Sequence, residues 1–241
     1  MKLELGTWVT LDSVEVAELM ASKKFDWVCI DIEHTTIGLS LMKAMIMAIQ
    51  SKGKRAFVRV TENDKSLIKR VLDAGADGLI CPNIDSYEEA LAFVQNSFYP
   101  PLGKRGVGLS RAQGYGFDFP EYRDVKSKQI ELIAQIEHID AINELELITS
   151  ISEISGFFIG PFDLSASMGK PGMFDDEDVK SVIRSFEDVV KSKNKKMGYH
   201  VIEADNKRLN EKIKQGYNFI AFSLDTLFLG SKIDEELNSL L

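Results

Sequence analysis

Short apolar runs of β character alternate along the chain with stretches whose apolar positions recur at helical spacing, and eight such pairs follow one another. The strand candidates are Leu5–Val9, Trp27–Asp31, Ala56–Val60, Gly78–Cys81, Glu131–Glu137, Gly156–Ile159, Lys196–His200 and Phe219–Phe222. Nearly every position in them is apolar, the pattern of strands covered on both faces. Helical periodicity spans Ser13–Lys23, Leu39–Ser51, Lys65–Ala74, Ser86–Gln95, Ile139–Thr149, Asp176–Lys193, Asp205–Gln215 and Thr226–Leu240. Ser13, Ser40, Asp64, Asp85 and Asp205 stand near the helix starts, where a side-chain oxygen can cap free N–H groups. Strand–helix alternation of this length predicts a parallel sheet. Eight repeats predict its closure into an α/β (β/α)8 TIM barrel, with residues 1–241 forming one domain. The competing open doubly wound sheet would carry a glycine-rich phosphate loop after its first strand, and Leu5-Gly6-Thr7-Trp8-Val9-Thr10-Leu11 has no GxGxxG.

Composition narrows the class of partner. The 241 residues are 44% hydrophobic and 27% charged, with a net charge of −8, which disfavours nucleic acid and anionic membrane surfaces. Cys29 and Cys81 both sit inside apolar runs with no CxxC or Cys/His spacing, so a reduced, cytoplasmic setting is expected. The apolar stretches Leu41–Ile49 and Ile154–Ile159 fall well short of the roughly 18 residues a membrane helix needs. Glu4 and Asp12 interrupt any N-terminal signal core, so no secretion is expected.

In this barrel fold, chemistry sits at the C-terminal ends of the strands. Asp31-Ile32-Glu33-His34 places three ionisable groups directly after the second strand, and Arg59 lies near the end of the third. Alternation puts Gln135 and Glu137 on one face of the fifth strand, and Asp163 follows the sixth. Singly, each has a structural reading: a helix cap for Asp31 or Glu33, an Arg59–Glu137 ion pair. Together at four strand ends they predict a ligand site, since barrel interiors are otherwise filled with branched apolar side chains. His138 reads as structural, and His200 closes the seventh strand, where a pocket contact is open to it. Met42, Met45 and Met47 read as core, and Lys191–Lys196 as a solvated helix end. Lys54 and Lys196 begin their strands, so a Schiff-base lysine is not expected at the working mouth. The loops His200–Asp205 and Ser223–Thr226 lack glycine turns, which disfavours a phosphorylated substrate.

Gly160-Pro161-Phe162-Asp163-Leu164-Ser165-Ala166-Ser167-Met168-Gly169 resembles the GPxDLSxSMG signature of the HpcH/HpaI aldolase family. Asp26-Trp27 through His34, Val58-Arg59-Val60, Ile68 to Ala76, Tyr99 to Gly108 and Gln135-Ile136-Glu137 extend the resemblance over nearly the whole chain. It implies a metal-dependent (class II) pyruvate aldolase, cleaving a 4-hydroxy-2-oxo acid to pyruvate and an aldehyde. Carried over residue by residue, it implies His34 as catalytic base, Arg59 as transition-state stabiliser and Asp73 as the acid that raises the histidine's basicity. Glu137 and Asp163 would bind Mg²⁺ or Mn²⁺, while Gln135, Asp163 and the Phe162 backbone would contact the pyruvate part of the substrate. Topology disagrees over Asp73, which ends a helix running toward the opposite face of the barrel, and Asp31 is the competing orienter. Phe162 stands where many relatives have alanine, and Leu109–Gly116 departs from the family pattern, so both bear on aldehyde choice. The resemblance further implies a homo-oligomer, a hexamer, with the C-terminal helix exchanged between neighbours. Two alternatives stay open: a CoA-thioester lyase of the citrate or malyl type, for which no basic nucleotide surface is evident, and a non-catalytic carboxylate-binding homologue.

Overall fold

The computed structural model describes residues 2–240. Its strands are β1 (Glu4–Val9), β2 (Trp27–Asp31), β3 (Arg55–Arg59), β4 (Gly78–Cys81), β5 (Glu131–Ile136), β6 (Ile154–Ile159), β7 (Lys196–Val201) and β8 (Phe219–Leu224). All neighbours pair in parallel and the sheet closes in sequence order, which is the (β/α)8 barrel expected. The helices are α1 (Val14–Ala21), α2 (Leu39–Ser51), α3 (Lys65–Asp73), α4 (Tyr87–Ser97), α5 (Phe119–Asp124), α6 (Ile139–Asn143), α7 (Leu145–Ile148), α8 (Pro161–Ser167), α9 (Glu177–Ser192), α10 (Asn206–Lys214) and α11 (Asp225–Asn238). None of the described helices is long and apolar enough to cross a membrane, and both cysteines are free and buried.

Local chemistry explains where expectation and structure part. Ser13, Asp64 and Asp205 cap their helices, accepting from the N–H groups of Val16, Leu67 and Lys207. Ser40 and Asp85 do not: Gly38 is the N-cap of α2, and Ser86 caps α4 through the Glu89 N–H. The stretch Ile139–Thr149 divides at Glu144, whose carboxylate accepts the Tyr87 N–H at 2.8 Å. α5 and α8 lie outside the stretches of helical periodicity; in α8 the proline is the first helical residue, where its missing N–H costs nothing.

Alternation along each strand stacks the barrel interior in layers. The lowest is charged: Glu4, Arg55, Glu131 and Lys196 close a ring of ion pairs at the N-terminal mouth. Above it lie Trp27, Phe57, Phe158 and Phe219, with Cys29, Ile80 and Ile133. Trp27 stacks on Phe219 at 4.3 Å, and a Cβ on Gly6 would fall 2.1 Å from the Trp27 ring, so only glycine fits that layer. Each of these large apolar side chains contributes about 1.5–3 kcal/mol on burial. Two residues beyond Cys29, Phe57 and Ile133 come Asp31, Arg59 and Gln135, joined by Trp8 of β1 and His200 of β7, and Glu137 follows Gln135 at the C-terminal mouth. A second, larger core fills the space between strands and helices.

Candidate active site

Asp31 and Arg59 are direct neighbours in the β2–β3 register. Arg59 donates from Nε to Asp31 Oδ1 at 2.9 Å and from Nη2 to Oδ2 at 2.6 Å, a bidentate pair, and its Nε lies 3.1 Å from Glu33 Oε2. The sequence-level pairing of Arg59 with Glu137 is therefore replaced, because the register delivers Asp31 first. Burial opposes the guanidinium's charge, but the hydrogen bonds and charges of Asp31, with Glu33, hold its pKa above the ordinary value. The guanidinium carbon lies 4.4 Å from the Trp8 ring centre, and Nη1 makes no hydrogen bond among the described residues.

Glu137 is 6% exposed. Its Oε1 accepts the Asn83 N–H at 2.8 Å and its Oε2 accepts from the Gln135 amide. Burial raises its pKa, and the nearby charge of Asp163 adds to the rise, against the opposing hydrogen bonds and Arg59. Asp163 sits in the first turn of α8, exposed to solvent. A Cβ on Gly160 would meet Glu137 Oε2 at 2.8 Å, so the glycine of the Gly-Pro pair lets the carboxylate pass. Gln135 Oε1 is buried without a partner.

His34 is mostly exposed, its Nε2 3.6 Å from Glu33 Oε2. Burial raises the Glu33 pKa, with Arg59 and His34 opposing the shift. His34, Glu33, Asn83, Glu137 and Asp163 line one cavity of about 360 Å³. Arg59, Gln135, Phe162, Asp163 and His200 line another of about 260 Å³, so Asp163 stands on the wall between the two. The Phe162 ring packs edge-on against Phe174 at 4.7 Å and forms the outer wall.

The structure thus gathers His34, Arg59, Gln135, Glu137, Phe162 and Asp163 at one mouth. It does not bring Asp73 there. Asp73 lies at the C-terminal end of α3, at the opposite face, where it accepts from buried Arg105 at 2.7 Å and from Gln113 at 3.2 Å. Asp31 makes no hydrogen bond to His34 among the described residues: its carboxylate accepts from Arg59 and from the Glu33 N–H. His138 caps α6, its Nδ1 accepting the Asp140 N–H, as its structural reading requires. Lys196 lies at the far mouth in the charged ring.

Sequence reasoning does not single out Asn83 or Trp8. Asn83 contributes through its backbone, held at φ 52°, a conformation asparagine tolerates better than most residues, and Cys81-Pro82-Asn83 carries that signal only weakly. Among the described residues no three His, Cys, Asp or Glu side chains form a ready metal cage. The carboxylates that line the cavity beside His34 are Glu33, Glu137 and Asp163.

The chain resembles known proteins over almost its full length. It is 36% identical over 230 residues to the hydroxypyruvate/pyruvate aldolase of Sagittula stellata, covering 94% of this chain and 88% of that protein. It is 33% identical over 236 residues to the 2-keto-3-deoxy-L-rhamnonate aldolase of Salmonella gallinarum, covering 97% and 87%. The crystal structure of an HpcH/HpaI aldolase/citrate lyase family protein from Burkholderia cenocepacia superposes with a TM-score of 0.93 at 28% identity, covering 99% of this chain and 95% of the other. The profile described as HpcH/HpaI aldolase/citrate lyase matches residues 4–230. Barrel, strand-end acids and this extent of likeness agree, and the chain belongs to the HpcH/HpaI aldolase/citrate lyase family of carbon–carbon lyases.

Proposed function

We propose that the protein is a pyruvate aldolase that reversibly cleaves a 4-hydroxy-2-oxo acid to pyruvate and an aldehyde, with Mg²⁺ or Mn²⁺ held by Glu137 and Asp163. The observation that carries this is the meeting of those two carboxylates with Arg59, Gln135 and His34 at one barrel mouth. The residues fit such an ion. Oxygen donors suit hard divalent cations, two protein carboxylates are a usual number where substrate and water complete the shell, and no cationic side chain forms an ion pair with Glu137 or Asp163 among the described residues. When bound, the ion supplies Lewis acidity toward the 2-oxo and carboxylate oxygens of the substrate.

The chain's own residues then do the following. His34, exposed and backed by Glu33, takes the proton of the C4 hydroxyl, and the C3–C4 bond breaks to release the aldehyde. Negative charge grows on the 2-oxygen, where Arg59 donates from its free Nη1 while Asp31 holds the guanidinium plane. Gln135 and the first-turn N–H groups of α8, at Phe162 and Asp163, orient the pyruvate carboxylate. Protonation of C3 yields pyruvate. Asp73 takes no part within one chain; a contribution from it would have to come from a second copy. We also assign the protein to a homo-oligomer, a hexamer by its resemblance, because α11 leaves Leu229, Ile233 and Leu237 exposed at successive turns of one stripe. Two buried free thiols accord with a cytoplasmic setting.

The test follows pyruvate release from 4-hydroxy-2-oxo acids in metal-stripped protein and after addition of Mn²⁺. Activity is expected only with the ion restored, and full activity in the stripped sample overturns the role given to Glu137 and Asp163.

A further inference from the structure

β8 carries an irregularity next to the mouth. Gly6 pairs with Ala221 and Trp8 with Leu224, so β8 spends three residues where β1 spends two. The extra residue is absorbed around Ser223, which has φ 55° and is the one non-glycine residue with positive φ inside a described strand. A serine pays a steric penalty there, and its own buried Oγ finds no partner. What the distortion achieves is the aim of its carbonyl. Ser223 O faces Thr7 Oγ1 at 3.2 Å and His200 Nε2 at 3.3 Å.

A carbonyl oxygen can only accept, so His200 Nε2 carries the hydrogen. Burial holds the ring neutral, its pKa pushed down to about 4. Nδ1 is therefore a lone-pair acceptor, and it makes no hydrogen bond among the described residues. The ring is fixed against Trp8, centroids 5.6 Å apart, and Trp8 is the same indole that carries the Arg59 guanidinium. His200 thus lines the cavity of Asp163 and Phe162, its ring held in place by Trp8 on one side and the Ser223 carbonyl on the other. The other polar groups on that wall are Glu203, an acceptor, and Arg208, which lies against the Tyr199 hydroxyl.

We propose that His200 reads the aldehyde half of the substrate: its Nδ1 accepts a hydrogen bond from a hydroxyl adjacent to the aldehyde carbon, so that 2-hydroxyaldehydes are preferred to unsubstituted ones. This rests on the aldolase reading above and goes beyond it by naming the class of aldehyde. A neutral acceptor rewards an O–H group, offers nothing to an alkyl group and repels a carboxylate. A polar group built to receive a hydroxyl discriminates against the analogue lacking it more strongly than an apolar pocket would.

The experiment compares kcat/KM for aldol addition of pyruvate, with Mn²⁺, to glycolaldehyde and to acetaldehyde. The native protein is expected to favour glycolaldehyde by at least about tenfold. His200→Leu should bring the ratio close to one through loss on glycolaldehyde, and His200→Gln, which restores an acceptor, should recover part of it. Equal loss on both aldehydes, or an unchanged ratio, overturns the proposal. A ¹⁵N spectrum of the native protein should show His200 as the Nε2–H tautomer at neutral pH; the Nδ1–H tautomer also overturns it, whether or not the variants fold. Exchange of the pyruvate methyl protons in D₂O needs no aldehyde, so its absence in the metal-loaded native protein sinks the aldolase reading itself, whereas exchange without hydroxyl preference sinks only the role of His200.

Discussion

Replacing Asp31 by asparagine separates two ways in which an acid beside a catalytic histidine could act. Asp31 is 2% exposed and both its oxygens accept from Arg59, at 2.9 and 2.6 Å. Asparagine keeps the shape but removes the charge and turns an N–H₂ toward a guanidinium that can only donate. Breaking a buried ion pair from one side costs about 3–5 kcal/mol. Here the Arg59 side chain is 16% exposed and retains Glu33 at 3.1 Å. The cost is then nearer about 2–3 kcal/mol, which for a domain of this size lowers Tm by about 5–10 °C. Arg59 also loses its fixed plane, so kcat should fall by about ten- to a hundredfold. The assay is thermal unfolding of the variant together with kcat across a pH series. If Asp31 works through Arg59, the plateau drops and the acid limb of the pH profile stays in place. A Tm change below about 1 °C, or an acid limb that moves while the plateau is retained, would refute the assignment of Asp31 to Arg59.

His34→Ala should cost at least about a hundredfold in kcat with almost no change in Tm, because the side chain is 70% exposed; a comparable loss is expected for Arg59→Ala, and little change at either position removes its role. In metal-stripped protein Glu137 has its pKa raised by burial, so the folded state holds a proton the unfolded state has lost, and stability from this group declines as pH rises from the ordinary glutamate range through the folded pKa. Added Mn²⁺ should therefore raise Tm more at a pH above the folded Glu137 pKa than in the ordinary glutamate range, and Glu137→Gln should abolish the difference; equal shifts in both proteins would place the ion elsewhere. At the far mouth, burial works against the Glu4 carboxylate, but hydrogen bonds and charges from Arg55 and Lys196 lower its pKa on balance. Its contribution is present above the unfolded pKa and is lost as pH falls through the folded one, so Glu4→Gln should flatten the acid side of the Tm–pH curve, and an unaltered curve would count against the ring. Charged substitutions at Leu229 and Ile233 should shift the assembled species toward monomer in light scattering; an unchanged mass would clear α11 of the interface.

The strands were legible because burial on both faces leaves a continuous apolar signature, and β2 and β4 fall on the residues expected. The candidate site was legible for the complementary reason: Asp31, Arg59, Glu137 and Asp163 interrupt that signature at ends the topology brings together. Pairing within the site was not, since whether Arg59 meets Asp31 or Glu137 depends on register, which periodicity does not encode. Asn83 acts through a peptide N–H, and Ser223 through a carbonyl turned by a bulge, so neither depends on its side chain's chemistry. α8 was hidden because Gly160-Pro161 is equally a turn and a helix start until the residues beyond are seen to pack: Leu164 is fully buried.

Both mouths of the barrel are charged, and what separates a structural mouth from a working one is balance. At the N-terminal end two acids, Glu4 and Glu131, meet two bases, Arg55 and Lys196, and every charge has its partners. Such a ring has little left to offer a ligand. At the C-terminal end four acids, Asp31, Glu33, Glu137 and Asp163, share the mouth with two guanidinium groups, Arg59 beside Asp31 and Glu33 and Arg208 across the cavity against Tyr199. Asp31 holds Arg59 through both oxygens, and the pKa values of Glu33 and Glu137 are raised by burial first, with neighbouring carboxylates adding to the rise, so the mouth carries a surplus of acids in a partly dry site. Folding gains nothing from leaving carboxylates in that condition, because apolar residues of similar size would cost less. The surplus is accounted for if it is kept for a divalent cation, which would neutralise Glu137 and Asp163 and leave Arg59 Nη1 as the donor aimed at an incoming anion. An aldol reaction through an enolate asks for that division of labour, and the matched ring at the other mouth could not provide it.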